Sequence, residues 1–148
     1  MVECSREHLI ASRSCIAAYG ERVDAASIAR HFELLGVDNA AAAEIYTEDA
    51  VLEYVQSGER IRGRDNITAS RQAYPGRPTR FAVHRCAMLG STAAVELVMT
   101  IGDDEPHPVV AILDLRGDAI SRERIYIAEP WPAPGYRAAW VEPPPETV

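Results

Sequence analysis

Glu123 and Glu129 lie six residues apart in Glu-Arg-Ile-Tyr-Ile-Ala-Glu, and strand alternation puts both on one face with Ile125 and Ile127 between them. Arg122, Arg124 and Tyr126 take the other face. A carboxylate at an apolar pocket mouth has its pKa raised, which suits a general acid or base. Tyr54 is a candidate donor to a developing oxyanion, and His31 or His84 a polar partner. Each residue also has a plainer reading. Glu129 precedes Pro130 and pairs with an arginine such as Arg137, and Glu123 is a solvated strand end. Tyr54 is then a core tyrosine, and His31 a half-buried neighbour of an apolar helix stripe. His107 reads as a turn residue between prolines, and Asp103-Asp104-Glu105 as a solvated hairpin tip. Arg60, Arg62 and Arg64 form a basic cluster that is either a solvated face or a recruiter of anionic substrate.

Several chemistries are argued against by what the chain lacks. There is no Gly-rich phosphate loop, nucleophile elbow or His-x-x-x-His pattern, so neither a nucleotide cofactor nor a metal is expected. Cys4, Cys15 and Cys86 are odd in number and match no metal-site spacing; Cys15 and Cys86 read as reduced core residues. A net charge of -7 disfavours nucleic acid or an anionic membrane as partner. No apolar run is long enough to span a bilayer, and the charged N-terminus lacks signal-peptide order, so a cytoplasmic protein is expected.

The 148 residues suffice for a single domain with one sizeable core. Residues 5–20 read as an additional N-terminal helix. Asp24 caps a second helix, in which Ile28, Phe32 and Leu35 recur at helical spacing before Gly36 stops it. Asp38 or Asn39 caps a short Ala-rich helix to Tyr46. An acidic corner at Thr47-Glu48-Asp49 leads into a strand starting at Ala50. Gln56-Ser57-Gly58 turns the chain into a brief return strand, 59–62. A helix from Arg64 carries Ile67 and Tyr74 on one face until Pro75-Gly76 breaks it. From Thr79 the period becomes twofold, giving strands 81–89, 93–101, 108–115 and 119–128 joined by Gly/Asp turns, an antiparallel meander. Val109-Val110-Ala111-Ile112-Leu113 is apolar on both faces, so helices should cover one side of the sheet and a second subunit the other. Residues 130–148 form a Pro-rich arm and tail. Its Trp131 and Trp140 are expected to pack on the body or on a partner chain, and its last residues to be disordered.

This order of elements, with Tyr46-Thr47-Glu48-Asp49-Ala50-Val51, Gly63-Arg64-Asp65-Asn66-Ile67 and Arg122-Glu123-Arg124-Ile125-Tyr126, resembles the SnoaL-like branch of the nuclear transport factor 2-like superfamily over about Asp24 to Glu129. The resemblance implies a cone-shaped α+β barrel, helices packed on a curved antiparallel sheet, an apolar pocket between them, and frequent dimers through the outer sheet face. It turns Leu52, Tyr54, Leu97, Met99, Leu113, Ile125 and Ile127 inward, and the pocket is expected to take in Phe32 and Trp131 as well. A ketosteroid isomerase needs a carboxylate base where this chain has Tyr54, and its helical tyrosine position holds Arg30 or His31. An epoxide hydrolase needs an Asp-Arg-Asp set where this chain has Met99, Ile101 and Ile125. A polyketide-cyclase type of chemistry asks for less: one acid/base, Glu129 or Glu123, with Tyr54 and His31 or His84 opposite. The expected function is therefore cofactor-independent acid/base isomerisation or cyclisation of a small, largely apolar metabolite. The alternatives are a non-catalytic ligand-binding or dimerisation domain and a diverged epoxide hydrolase.

Overall fold

The computed structural model describes residues 22–143. The helix expected at residues 5–20, the cysteines Cys4 and Cys15, and the end of the tail fall outside them. Helix α1 (Ala25–Leu34) begins where the Asp24 carboxylate accepts from the Ser27 backbone N–H and the Ser27 hydroxyl answers the Asp24 N–H. Helix α2 (Asn39–Ala43) is capped by Asp38 through the Ala41 N–H. Strand β1 (Tyr46–Tyr54) and β2 (Glu59–Arg62) form a hairpin, and α3 (Arg64–Gln72) follows. Then come β3 (Thr79–Leu89), β4 (Thr92–Ile101), β5 (His107–Arg116) and β6 (Ala119–Ile127), and a short 3₁₀ turn at Gly135–Trp140.

The strands form a single mixed sheet in the order β2-β1-β6-β5-β4-β3. Neighbours pair antiparallel except β1 and β6, which run parallel with Leu52 opposite Glu123 and Tyr54 opposite Ile125. This is the expected cone-shaped α+β architecture, with the sheet left unclosed between β2 and β3. Helix α1 lies against β3 and α3 against β1. Ile28, Phe32 and Ile67 meet Leu52, Val95, Leu97, Ala111 and Leu113 in one buried cluster. Each such large side chain removed from water contributes about 1.5–3 kcal/mol.

Local physics shifts several expected boundaries. The first strand starts at Tyr46 rather than Ala50, and Thr47-Glu48-Asp49 lies within it. Tyr46 pairs with Ile120, and the register slips before Val51, so the acidic residues occupy an irregular stretch of strand. Helix α2 accordingly stops at Ala43, short of Tyr46. Tyr74 falls outside α3 because Pro75 disfavours helical backbone at the residue before it. Trp131 and Trp140 are 79% and 80% exposed, so the arm does not pack on the body as one expectation had it. Prolines at 130, 132 and 134 keep this segment from continuing β6.

At the stop of α1 the chain passes very close to β3. Gly36 has φ +80°, and a Cβ built there would sit 2.3 Å from the Thr79 carbonyl oxygen. Gly36→Ala combines left-handed strain with a backbone clash. It should lower unfolding free energy by about 2–3 kcal/mol in urea denaturation, whereas Gly58→Ala, with no atom near its Cβ, should cost only the strain, about 1 kcal/mol.

Candidate active site

Four elements aim polar side chains at one buried point. Glu123 is inward on β6 and fully buried. The parallel register sets β1 beside it, and the Tyr46 hydroxyl donates to Glu123 Oε2. From α3, Arg71 Nη2 lies 3.4 and 3.3 Å from the two carboxylate oxygens. Its guanidinium carbon stands 5.5 Å from the Tyr46 ring centroid, a cation–π contact. From α1, His31 Nε2 lies 3.6 Å from Glu123 Oε2 and 3.3 Å from the Tyr46 oxygen. His31 Nδ1 is 2.7 Å from the Ala42 carbonyl oxygen, so Nδ1 carries the proton and donates.

Electrostatics inside this cluster reverse the expectation of a raised carboxylate pKa. Burial is the largest influence on Glu123 and pushes its pKa up. Arg71 first, then His31 and the Tyr46 hydroxyl, more than offset it and hold Glu123 at about 2, against an ordinary 4.5. Tyr46 is pushed well up by burial and by the neighbouring carboxylate, so it stays a phenol. Arg71 is raised despite burial, because Tyr46 and Glu123 favour its cation. The cluster therefore holds a permanent ion pair rather than a poised base.

A cavity of about 730 Å³ opens beside this cluster, between the ends of the strands and the segment from Ser70 to Thr79. Phe81, Met99, Ile101, Ile125 and Ile127 supply apolar wall, and Tyr54 and Arg71 supply polar groups. The Arg71 side chain is 12% exposed. Burial raises the pKa of the Tyr54 hydroxyl and keeps it a proton donor.

The structure brings some of the nominated residues together and separates others. Tyr54, Met99, Ile125 and Ile127 line the cavity. Glu123 and His31 sit in the buried cluster, and His31 is buried rather than half-buried. Phe32, Leu52, Leu97 and Leu113 face inward but are packed in the core and do not line the cavity. Alternation tells which face a residue takes, not how far along the strand the helices fill the space. Glu129 lies outside the cavity, past the end of β6 where alternation no longer applies. Its side chain is 85% exposed, and its carboxylate is 3.7 Å from His107 Nδ1 rather than beside Arg137. His84 opens on the outer sheet face beside Glu96 and Tyr126, and Trp131 stands in solvent. Arg60 pairs with Glu53, whose partner Arg122 is on the outer face, so it is no pocket rim.

Sequence reasoning missed Tyr46 and Arg71. A signal for Arg71 existed: it falls four residues after Ile67, the buried residue of α3, and so shares its face. Tyr46 was hidden by its assignment to the end of a helix.

The ion pair sets two expectations. Glu123 has its folded-state pKa depressed, so its stabilisation is complete above about pH 4.5 and is lost as pH falls toward 2. Across that window the wild type should lose about 3 kcal/mol more than Arg71→Met/Glu123→Gln, read by circular dichroism with urea, because the other carboxylates titrate in both. Glu123→Gln strands the Arg71 charge and should cost about 3–5 kcal/mol at neutral pH, while Arg71→Met/Glu123→Gln should recover most of it.

The fold and this cluster can be set beside known proteins. The family described as SnoaL-like domain matches residues 18–123. An NTF-2 like protein of unknown function from Burkholderia xenovorans LB400 is 34% identical, with a TM-score of 0.71 over 80% of this chain and 92% of that one. A putative ketosteroid isomerase from Kribbella flavida is 31% identical, with a TM-score of 0.70 over 80% of this chain and 88% of that one. An LEH-like epoxide hydrolase from M. tuberculosis, 20% identical with a TM-score of 0.57 over 70% and 84%, shares the fold alone. No curated protein matches the chain. With the family spanning most of its length and the same fold in both nearer relatives, this chain belongs to the SnoaL-like domain family of the nuclear transport factor 2-like superfamily.

Proposed function

We propose that this protein is a cofactor-independent catalyst of isomerase or cyclase type, acting on a small, largely apolar carbonyl compound. The observation that carries the reading is Arg71, a cation locked by buried Glu123 and also lining the cavity beside Tyr54. When a proton leaves the carbon next to a carbonyl, negative charge develops on oxygen. Donors fixed in a poorly hydrated site stabilise that charge strongly because they need no reorganisation. Arg71 and Tyr54 are such donors. Glu123 acts through Arg71, as a positioning residue, and His31 and Tyr46 position Glu123.

Among the described residues, the cavity lining includes no carboxylate and no imidazole. The reading therefore asks for a substrate whose C–H is already acidic, with solvent accepting the proton and electrophilic stabilisation as the main contribution. The relative described as a putative ketosteroid isomerase is consistent with enolate chemistry in this family. The same missing base favours the second reading, a non-catalytic binding domain. We take the protein as a homodimer as well. Exposed Val110 and Tyr126 flank a shallow groove of about 280 Å³ on the outer sheet face, a surface suited to a second copy.

Exchange of the C2 proton of ethyl 2-benzylacetoacetate in D2O, followed by NMR, separates the two readings. An enzyme should accelerate exchange over buffer, and Tyr54→Phe should lose about 100-fold of that acceleration, as when one oxyanion donor is removed. Saturable binding with no acceleration would leave the binding reading in place. For the dimer, light scattering at micromolar concentration should give twice the chain mass, and Tyr126→Glu should give the monomer.

A further inference from the structure

Arg71 presents five N–H groups, of which Nη2 donates to the Glu123 carboxylate and others reach the Tyr46 and Tyr54 oxygens, so not all five are used. The Tyr54 oxygen accepts from Arg71, which leaves its own O–H proton to donate. Both residues line the same end of the cavity, whose walls at Phe81, Met99 and Ile127 are apolar. A guanidinium beside a phenol O–H suits a planar anion with two oxygens, because one oxygen can accept from each. A neutral amide or alcohol offers less acceptor capacity and no charge.

We infer that the cavity binds organic acids, with the carboxylate at Arg71 and Tyr54 and the apolar body along the sheet wall. The inference rests on the reading of Arg71 and Tyr54 as oxyanion donors: a carboxylate is a stable two-oxygen counterpart of an enolate. It adds the substrate or product class, an acid attached to an apolar body.

The test is isothermal titration calorimetry of the full chain with 4-phenylbutyrate and with 4-phenylbutanamide. The acid should bind at least about 10-fold tighter than the amide, as for a hydrogen-bonded charge. Tyr54→Phe, which keeps the ring and the fold, should weaken the acid about 10-fold and the amide less. Equal binding of acid and amide, binding of neither, or an unchanged preference in Tyr54→Phe overturns the inference. Keto-ester exchange keeps the two readings apart: acceleration without acid preference overturns only this inference, and loss of both overturns both.

Discussion

Glu123 and Arg71 leave water together, and the architecture around them follows from the need to keep both satisfied. A carboxylate with no exposed surface is tolerable only where a cation and hydrogen-bond donors reach it. Those partners come from three other elements. β1 delivers Tyr46 through its parallel pairing with β6, α3 delivers Arg71 from its last turn, and α1 delivers His31. The pair thereby fixes how the two main helices sit on the sheet. It also sets the cavity's character, because the guanidinium that neutralises Glu123 is the one that lines the hollow.

This arrangement changes the chemistry the site offers. An isolated carboxylate in an apolar pocket would be a base with raised proton affinity. Paired with Arg71, Glu123 is held ionised far below its ordinary range and works by holding its neighbour. The electrophile, not the acid, faces the ligand. That is why the proposed reaction leans on stabilising negative charge, and why the ligand class follows from free donors rather than from a free base.

Much of the fold was legible in the sequence. The Asp24 and Asp38 caps, the Gly36 stop and the change of period at Thr79 each leave a local signature, and local signatures need no tertiary context. The alternation on β6 placed Glu123 on the inner face, and the structure has it there. The site was less legible because it depends on depth and on partners distant in sequence. Leu52 and Tyr54 share a strand face, yet one is core and the other cavity wall, since helix side chains fill only part of the sheet. Glu129 has the same residue type and apparent parity as Glu123, but it lies beyond the last strand pair and faces solvent. Arg71 drew no notice in the sequence because arginine is rarely buried, and only its phase with Ile67 points inward.

The most direct measurement is a carboxyl-detected NMR titration of Glu123, selectively labelled, from neutral pH downward. Its resonance should stay at the carboxylate position until about pH 2 or until the chain unfolds. A protonation step at or above the ordinary value of 4.5, with the fold intact, would mean that Arg71 does not hold Glu123 ionised, and the locked ion pair at the centre of the site would be contradicted.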